Sequence, residues 1–161
     1  VLGATSAMSA DLPGKSAPAA PSPIFASKSF YAGVNGGAIV TDGINTNAPW
    51  TVGVVGGYNI ASIGPIGIAA EGTYDYTKGN TNDVAGNIVG GYSFGSVTPY
   101  ALAGVGYRFA DIKNEAIWNV GVGFKIAVTS SIDVDTRYRR VDNFDRTAGE
   151  DRVTVGVNYK F

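Results

Sequence analysis

The sequence predicts an all-β fold, an eight-stranded antiparallel up-and-down transmembrane β-barrel, on three observations. From Ser29 to Phe161, apolar residues alternate with small or polar ones in eight segments, and a period of two places them on opposite faces of a strand. Charged residues make up only 16% of the 161 and glycine contributes 23, where a soluble domain carries roughly one quarter charged residues. Hydrophobic residues reach 45%, yet no run of about 20 apolar residues occurs, so a bilayer can be crossed only by strands closed into a barrel.

Strand one is expected from Ser29 to Val40, with Phe30, Ala32, Val34, Ala38 and Val40 opposite Tyr31, Gly33, Asn35 and Gly37. Strand two, Trp50 to Ile60, sets Trp50, Val52, Val54, Tyr58 and Ile60 against Thr51, Gly53, Gly57 and Asn59. Strand three, Pro65 to Thr77, sets Ile66, Ile68, Ala70, Tyr74 and Tyr76 against Gly67, Glu71, Thr73 and Asp75. Strand four, Val84 to Phe94, alternates more weakly, with Ile88, Tyr92 and Phe94 opposite Asn87, Gly91 and Ser93. In strand five, Val97 to Phe109, Ala101, Ala103, Val105, Tyr107 and Phe109 oppose Thr98, Gly104, Gly106 and Arg108, while Tyr100 and Leu102 blur the pattern. Strand six, Ala116 to Ala127, contrasts Trp118, Val120, Val122, Phe124 and Ile126 with Asn119, Gly121, Gly123 and Lys125. Strand seven, Ile132 to Val141, contrasts Ile132, Val134, Thr136 and Tyr138 with Asp133, Asp135, Arg137 and Arg139. Strand eight, Arg152 to Phe161, contrasts Val153, Val155, Val157, Tyr159 and Phe161 with Thr154, Gly156, Asn158 and Lys160.

Short connections are expected near Ala61-Ser62, Gly95-Ser96 and Thr129-Ser130. Longer polar ones are expected at Thr41 to Pro49, Lys78 to Asp83, Ala110 to Glu115 and Asp142 to Asp151. That asymmetry is the pattern of periplasmic turns and extracellular loops, and it puts both termini on the periplasmic side.

Alternation alone does not separate a membrane barrel from a soluble one, because both have one apolar and one polar face. The charges decide. The polar faces are largely Gly, Ala, Thr and Asn, and their strand cores carry Glu71, Asp75, Asp133 and Asp135 against Arg108, Lys125, Arg137 and Arg139. A balanced set suits a narrow low-dielectric lumen, where an unpaired charge costs several kcal/mol, about 3–5. Lys125 and Asp133 or Asp135 flank the Thr129-Ser130 turn and are expected as cross-strand neighbours. A lipocalin-like soluble barrel is the competing reading, and it predicts an apolar cavity rather than an apolar exterior.

Aromatic residues supply an independent test, because a spanning barrel carries a girdle at each interface. Phe30, Tyr58, Tyr92, Phe94, Phe124, Tyr159 and Phe161 fall at the terminus-side ends of their strands. Trp50, Tyr74, Tyr76, Tyr107, Phe109, Trp118 and Tyr138 fall at the other ends, and the middles are Val, Ile, Ala and Gly.

The segment Val153-Thr-Val-Gly-Val-Asn-Tyr-Lys-Phe161 resembles the carboxy-terminal β-signal of bacterial outer-membrane proteins. With Phe30-Tyr-Ala-Gly-Val-Asn-Gly-Gly37 and Pro99-Tyr-Ala-Leu-Ala-Gly-Val-Gly-Tyr107, it makes residues 29–161 similar to the opacity-like surface-antigen or porin-family small barrels of alphaproteobacteria. The resemblance implies a bacterial outer-membrane location and partners in outer-membrane lipid and lipopolysaccharide. It further implies surface ligands met through the loops, and a barrel assembly machinery that reads Val153, Val155, Val157, Tyr159 and Phe161. Residues 1–9 are expected to be a residual signal-peptide tail, with Ala7-Met8-Ser9 fitting the small-x-small rule. Residues 10–28, which hold Pro13, Pro18, Pro21 and Pro23, are expected to be an extended, unpacked periplasmic linker.

No catalytic, cofactor or metal site is expected. The chain has no His and no Cys, which removes thiol nucleophiles, zinc ribbons and the His-dependent chemistry of outer-membrane lipid A deacylases and palmitoyltransferases of similar size. A net charge of −1 gives no basic excess for nucleic acid. Asp133 and Asp135 could serve acid–base work or Ca²⁺, but nearby cations make them counter-ions. The acidic stretch Asp142, Asp145, Glu150 and Asp151 reads as a solvated loop, with weak cation binding the alternative. Gly53-Val-Val-Gly-Gly57 and Gly86-Asn-Ile-Val-Gly-Gly91 open no helix, so they read as strand glycines under lumen crowding rather than phosphate loops. Two roles remain: a structural, surface-antigen barrel plugged by ion pairs, or a narrow porin-like channel.

Overall fold

The structure is a computed structural model and describes residues 25, 28–40, 48–111, 113–146 and 149–161. The expected signal tail and cleavage site, most of the proline-rich linker, and residues 41–47 of the first long connection lie outside the described residues. Eight strands form one closed antiparallel barrel in chain order: β1 (Phe30–Ile39), β2 (Trp50–Ile63), β3 (Ile66–Thr77), β4 (Thr81–Tyr92), β5 (Val97–Phe109), β6 (Glu115–Ala127), β7 (Ile132–Asn143) and β8 (Glu150–Lys160). Closure is made by β1 on β8, from Tyr31 opposite Lys160 to Ile39 opposite Arg152, and the Phe161 amide donates to the Phe30 carbonyl at 3.0 Å. No open edge is left in the sheet, which is the condition for a sheet to sit in hydrocarbon.

The register sets the tilt. A row followed from Lys160 through Tyr31, Gly57, Glu71, Asn87, Gly104, Asn119 and Val141 returns to β8 at Glu150, ten residues from its start. Such a shear tilts eight strands strongly and leaves an interior only wide enough for side chains.

The connections differ from expectation in four places. The first turn lies at Gly64-Pro65, not Ala61-Ser62, because β2 continues past a register shift between Asn59 and Ala61. The connection expected from Lys78 to Asp83 shrinks to residues 78–80, where Gly79 and Asn80 both take positive φ (108° and 66°). Thr81, Asn82 and Asp83 read as loop because they are polar, yet they pair with Thr77, Tyr76 and Asp75. The last connection narrows to residues 144–149, with Asp142 at the end of β7 and Glu150 and Asp151 opening β8. Phe94 lies beyond β4, in an isolated bridge with Val97.

Candidate functional site

The two faces divide as the alternation requires. Val34, Val54, Val105, Val122 and Val155 are more than half exposed on the outside, whereas Glu71, Asp75, Arg108, Lys125, Asp133, Asp135, Arg137 and Arg139 are all buried inside. The fourteen girdle aromatics face outward, exposed or half-buried, and several meet in pairs. Phe30 with Tyr58, Tyr92 with Phe94 and Tyr159 with Phe161 lie at the terminus end, and Trp50 with Tyr76 and Tyr107 with Phe109 at the other, with ring centroids 4.4–5.7 Å apart. In the second group the polar tips are held: Tyr74 donates to Asn82 at 2.7 Å, Tyr138 to Asp151 at 2.8 Å, and the Trp118 indole to the Asn143 carbonyl at 3.2 Å. An amphipathic ring with an anchored polar end suits a membrane–water boundary.

Two ion-pair clusters fill the lumen. In the first, Arg137 of β7 reaches Glu71 of β3 with both terminal nitrogens (2.6 and 3.1 Å) and Asp135 at 2.8 Å. Its Nε donates to the Tyr100 hydroxyl at 2.8 Å, which donates to Asp135 at 2.5 Å; the Tyr31 hydroxyl donates to Glu71 at 3.0 Å. The rings of Tyr31 and Tyr100 need room. A Cβ at Gly57 would fall 2.2 Å from the Tyr31 ring and one at Gly123 would fall 2.7 Å from the Tyr100 ring, so glycine on the facing strand is what lets each tyrosine lie across the lumen.

The second cluster lies nearer the longer connections. Arg108 grips Asp83 with two bonds (2.8 and 3.0 Å) and Glu150 with one (3.0 Å). Arg152 bonds Asp83 at 2.5 Å and Glu150 at 2.7 Å, and Arg139 pairs with Asp75. Asp83, Glu150 and Arg152 were absent from the sequence-based set, because the first two were read as loop. Their parity was a usable signal, since Asp83 shares the face of Asn87 and Arg152 that of Thr154 and Asn158.

A family model described as outer membrane protein beta-barrel domain matches residues 2–161. The chain belongs to that family. This outer-membrane barrel is similar in structure to the N-terminal β-barrel domain of Pseudomonas aeruginosa OprF (15% identity, 84% of this chain and 98% of that one, TM-score 0.65). It is also similar to Neisserial surface protein A (18% identity, 84% and 98%, TM-score 0.57) and to the outer-membrane enzyme PagL (14% identity, 80% and 98%, TM-score 0.54). At these identities the likeness is one of fold. No curated protein matches the sequence.

Within this outer-membrane barrel, three expectations are corrected. Lys125 does stand opposite Asp135 across the β6–β7 ladder, but it forms no ion pair among the described residues. Its Nζ lies 4.2 Å over the Tyr31 ring, Asp135 is taken by Arg137, and Asp133 accepts from Asn158 at 2.7 Å. Among the described residues the cation therefore meets an aromatic face rather than a paired carboxylate, an interaction worth about 2 kcal/mol or more when desolvated. Lys125→Met is accordingly expected to lower stability by about 2 kcal/mol, less than the about 3–5 kcal/mol of a broken buried ion pair, read as the urea midpoint of the barrel refolded in lipid vesicles. A larger loss would restore the carboxylates as its partners.

Lumen crowding explains Gly53, Gly57 and Gly91 but not Gly56, Gly86 and Gly90. A Cβ on any of the latter three would meet nothing within 4 Å, because they face outward. The acidic stretch is also dispersed: Asp142 and Asp151 lie against Arg140 (3.6 and 2.8 Å) and Glu150 against Arg152. Among the described residues, no group of three or more metal-ligating side chains is found.

Proposed function

We propose that this protein is a non-enzymatic structural and surface-antigen barrel of the Gram-negative outer membrane, with its lumen plugged by ion pairs and its termini in the periplasm. The observation that carries the reading is Arg137 bridging Glu71 and Asp135 from β7 to β3, straight across the interior. Buried charges paired this closely are strongly coupled, so solute passage requires breaking them. The absence of histidine from the sequence supports the non-enzymatic assignment beside a fold that one structural neighbour uses as an enzyme. Gly64-Pro65 and the Thr129 turn, where the Thr129 hydroxyl accepts from the Ser131 and Ile132 amides (3.2 and 2.9 Å), form the periplasmic end. The opposite end displays the connection after β7, where Phe144 is 61% exposed, as antigen or ligand-contacting surface. Lipid and lipopolysaccharide surround the outward face, and the outward row from Val153 to Phe161 is the signal read by the assembly machinery.

Planar-bilayer recording tests the plug against the narrow-channel alternative. The expected result is silence or rare flickering from the purified barrel. A stable open conductance would overturn the plug and establish the channel.

A further inference from the structure

One aromatic side chain lies where the sequence pattern put an unpacked linker. Phe25 is 2% exposed, and it packs inside the barrel with Tyr31, Val55, Ala69, Val89, Tyr100 and Leu102. The strands account for this cluster. Tyr100 and Leu102 blur the alternation of β5 because they are apolar residues on the lumen face. Val89 and Ala69, both 0% exposed, do the same on β4 and β3. Together they make an apolar cup at the end of the lumen that holds the short turns, bounded on its inner side by the first charged cluster, to which Tyr31 and Tyr100 turn their hydroxyls.

The socket is built from two glycines. Gly67 and Gly91 are direct partners across the β3–β4 ladder, and Gly91 is in turn opposite Tyr100. A Cβ at Gly67 would fall 2.0 Å from the Phe25 Cβ and 2.4 Å from its ring, and one at Gly91 would fall 2.6 Å from the ring edge. Every other lumen-facing position nearby on these two strands bears a side chain, so the pair opens a gap of aromatic size in the wall. A buried aromatic ring against apolar neighbours is a strong anchor, and it excludes water from the cup.

We propose that Phe25 is an internal stopper. It closes the turn-side mouth of the barrel from within, its ring seated in the Gly67–Gly91 socket. The seal stands whether or not the ion pairs close the pore, because it is read by cleavage at Phe25 and not as conductance.

Chymotrypsin cleaves after exposed Phe, so the Phe25–Ala26 bond reports directly on the socket. In the folded wild-type barrel in detergent, cleavage there is expected to be at least tenfold slower than in the heat-unfolded chain, followed by the mass of the product that begins at Ala26. Gly67→Leu, with folding verified by heat-dependent gel mobility, is expected to bring the rate to within about threefold of the unfolded chain. Wild-type cleavage as fast as in the unfolded chain, or Gly67→Leu cleavage as slow as that of the folded wild type, would overturn the stopper.

Discussion

Replacing Arg137 by methionine is expected to destabilise the barrel by about 3–5 kcal/mol, the cost of breaking a buried pair and leaving its partner charged. The size follows from what one side chain holds. Arg137 supplies two bonds to Glu71, one to Asp135 and one to Tyr100, and both carboxylates are buried. Its removal leaves two negative charges facing each other in a space too narrow for bulk water. Methionine keeps most of the volume, so the loss reports charge and hydrogen bonding rather than a cavity. The measurement is the urea midpoint in lipid vesicles. A second substitution, Glu71→Gln, in the Arg137→Met background is expected to recover part of the loss, because it removes one of the stranded charges. Residues in one network are non-additive, by about 0.5–3 kcal/mol. Strict additivity of the two substitutions, or a loss below about 1 kcal/mol for Arg137→Met alone, would show that the cluster is not a coupled unit.

Val34→Arg is expected to cost about 2–4 kcal/mol in a bilayer, the penalty for a cation at the midplane of a barrel's lipid face. Val34 is 62% exposed and lies between Val54 and Val157, in the middle band between the two aromatic girdles. Ala116→Arg, near the end of β6 close to Trp118, is expected to cost about 0–1 kcal/mol, because an arginine there reaches the headgroups. The contrast between the two positions is the informative quantity, read as unfolding midpoints in the same vesicles. Equal costs would mean that the outward band does not face hydrocarbon at the depth assigned to it. The contrast also separates the membrane barrel from a soluble one, in which Val34 would face water and accept arginine at little cost.

The strands and faces were legible in the sequence because a strand's alternation is a local property: neighbouring side chains point to opposite sides whatever the strand pairs with. That is why Glu71, Lys125 and Arg137 could be placed inside and Phe30, Trp50 and Phe124 outside. Legibility failed where polarity was taken for irregularity. Asp83 and Glu150 are charged residues in strands, and lumen-facing strand ends are polar in a barrel whose core is polar. It failed in the other direction at Tyr100, Leu102 and Val89, where apolar side chains on the lumen face form the cup around Phe25.

By itself, then, the sequence determined the fold class, the number of strands and the inward or outward sense of most strand residues. Which lumen residues meet was decided only by the closed tertiary structure. A shear of ten carries each row up the barrel as it goes round, so Glu71 meets Arg137, 66 residues away in the chain, while Lys125 sits over a tyrosine ring rather than on the carboxylate beside it in the ladder. The socket for Phe25 has the same origin, since Gly67 and Gly91 become one gap only when β3 and β4 pair and the barrel wraps around the ring. Period two is written into the backbone; contacts across a lumen depend on tilt and closure, which no local segment encodes.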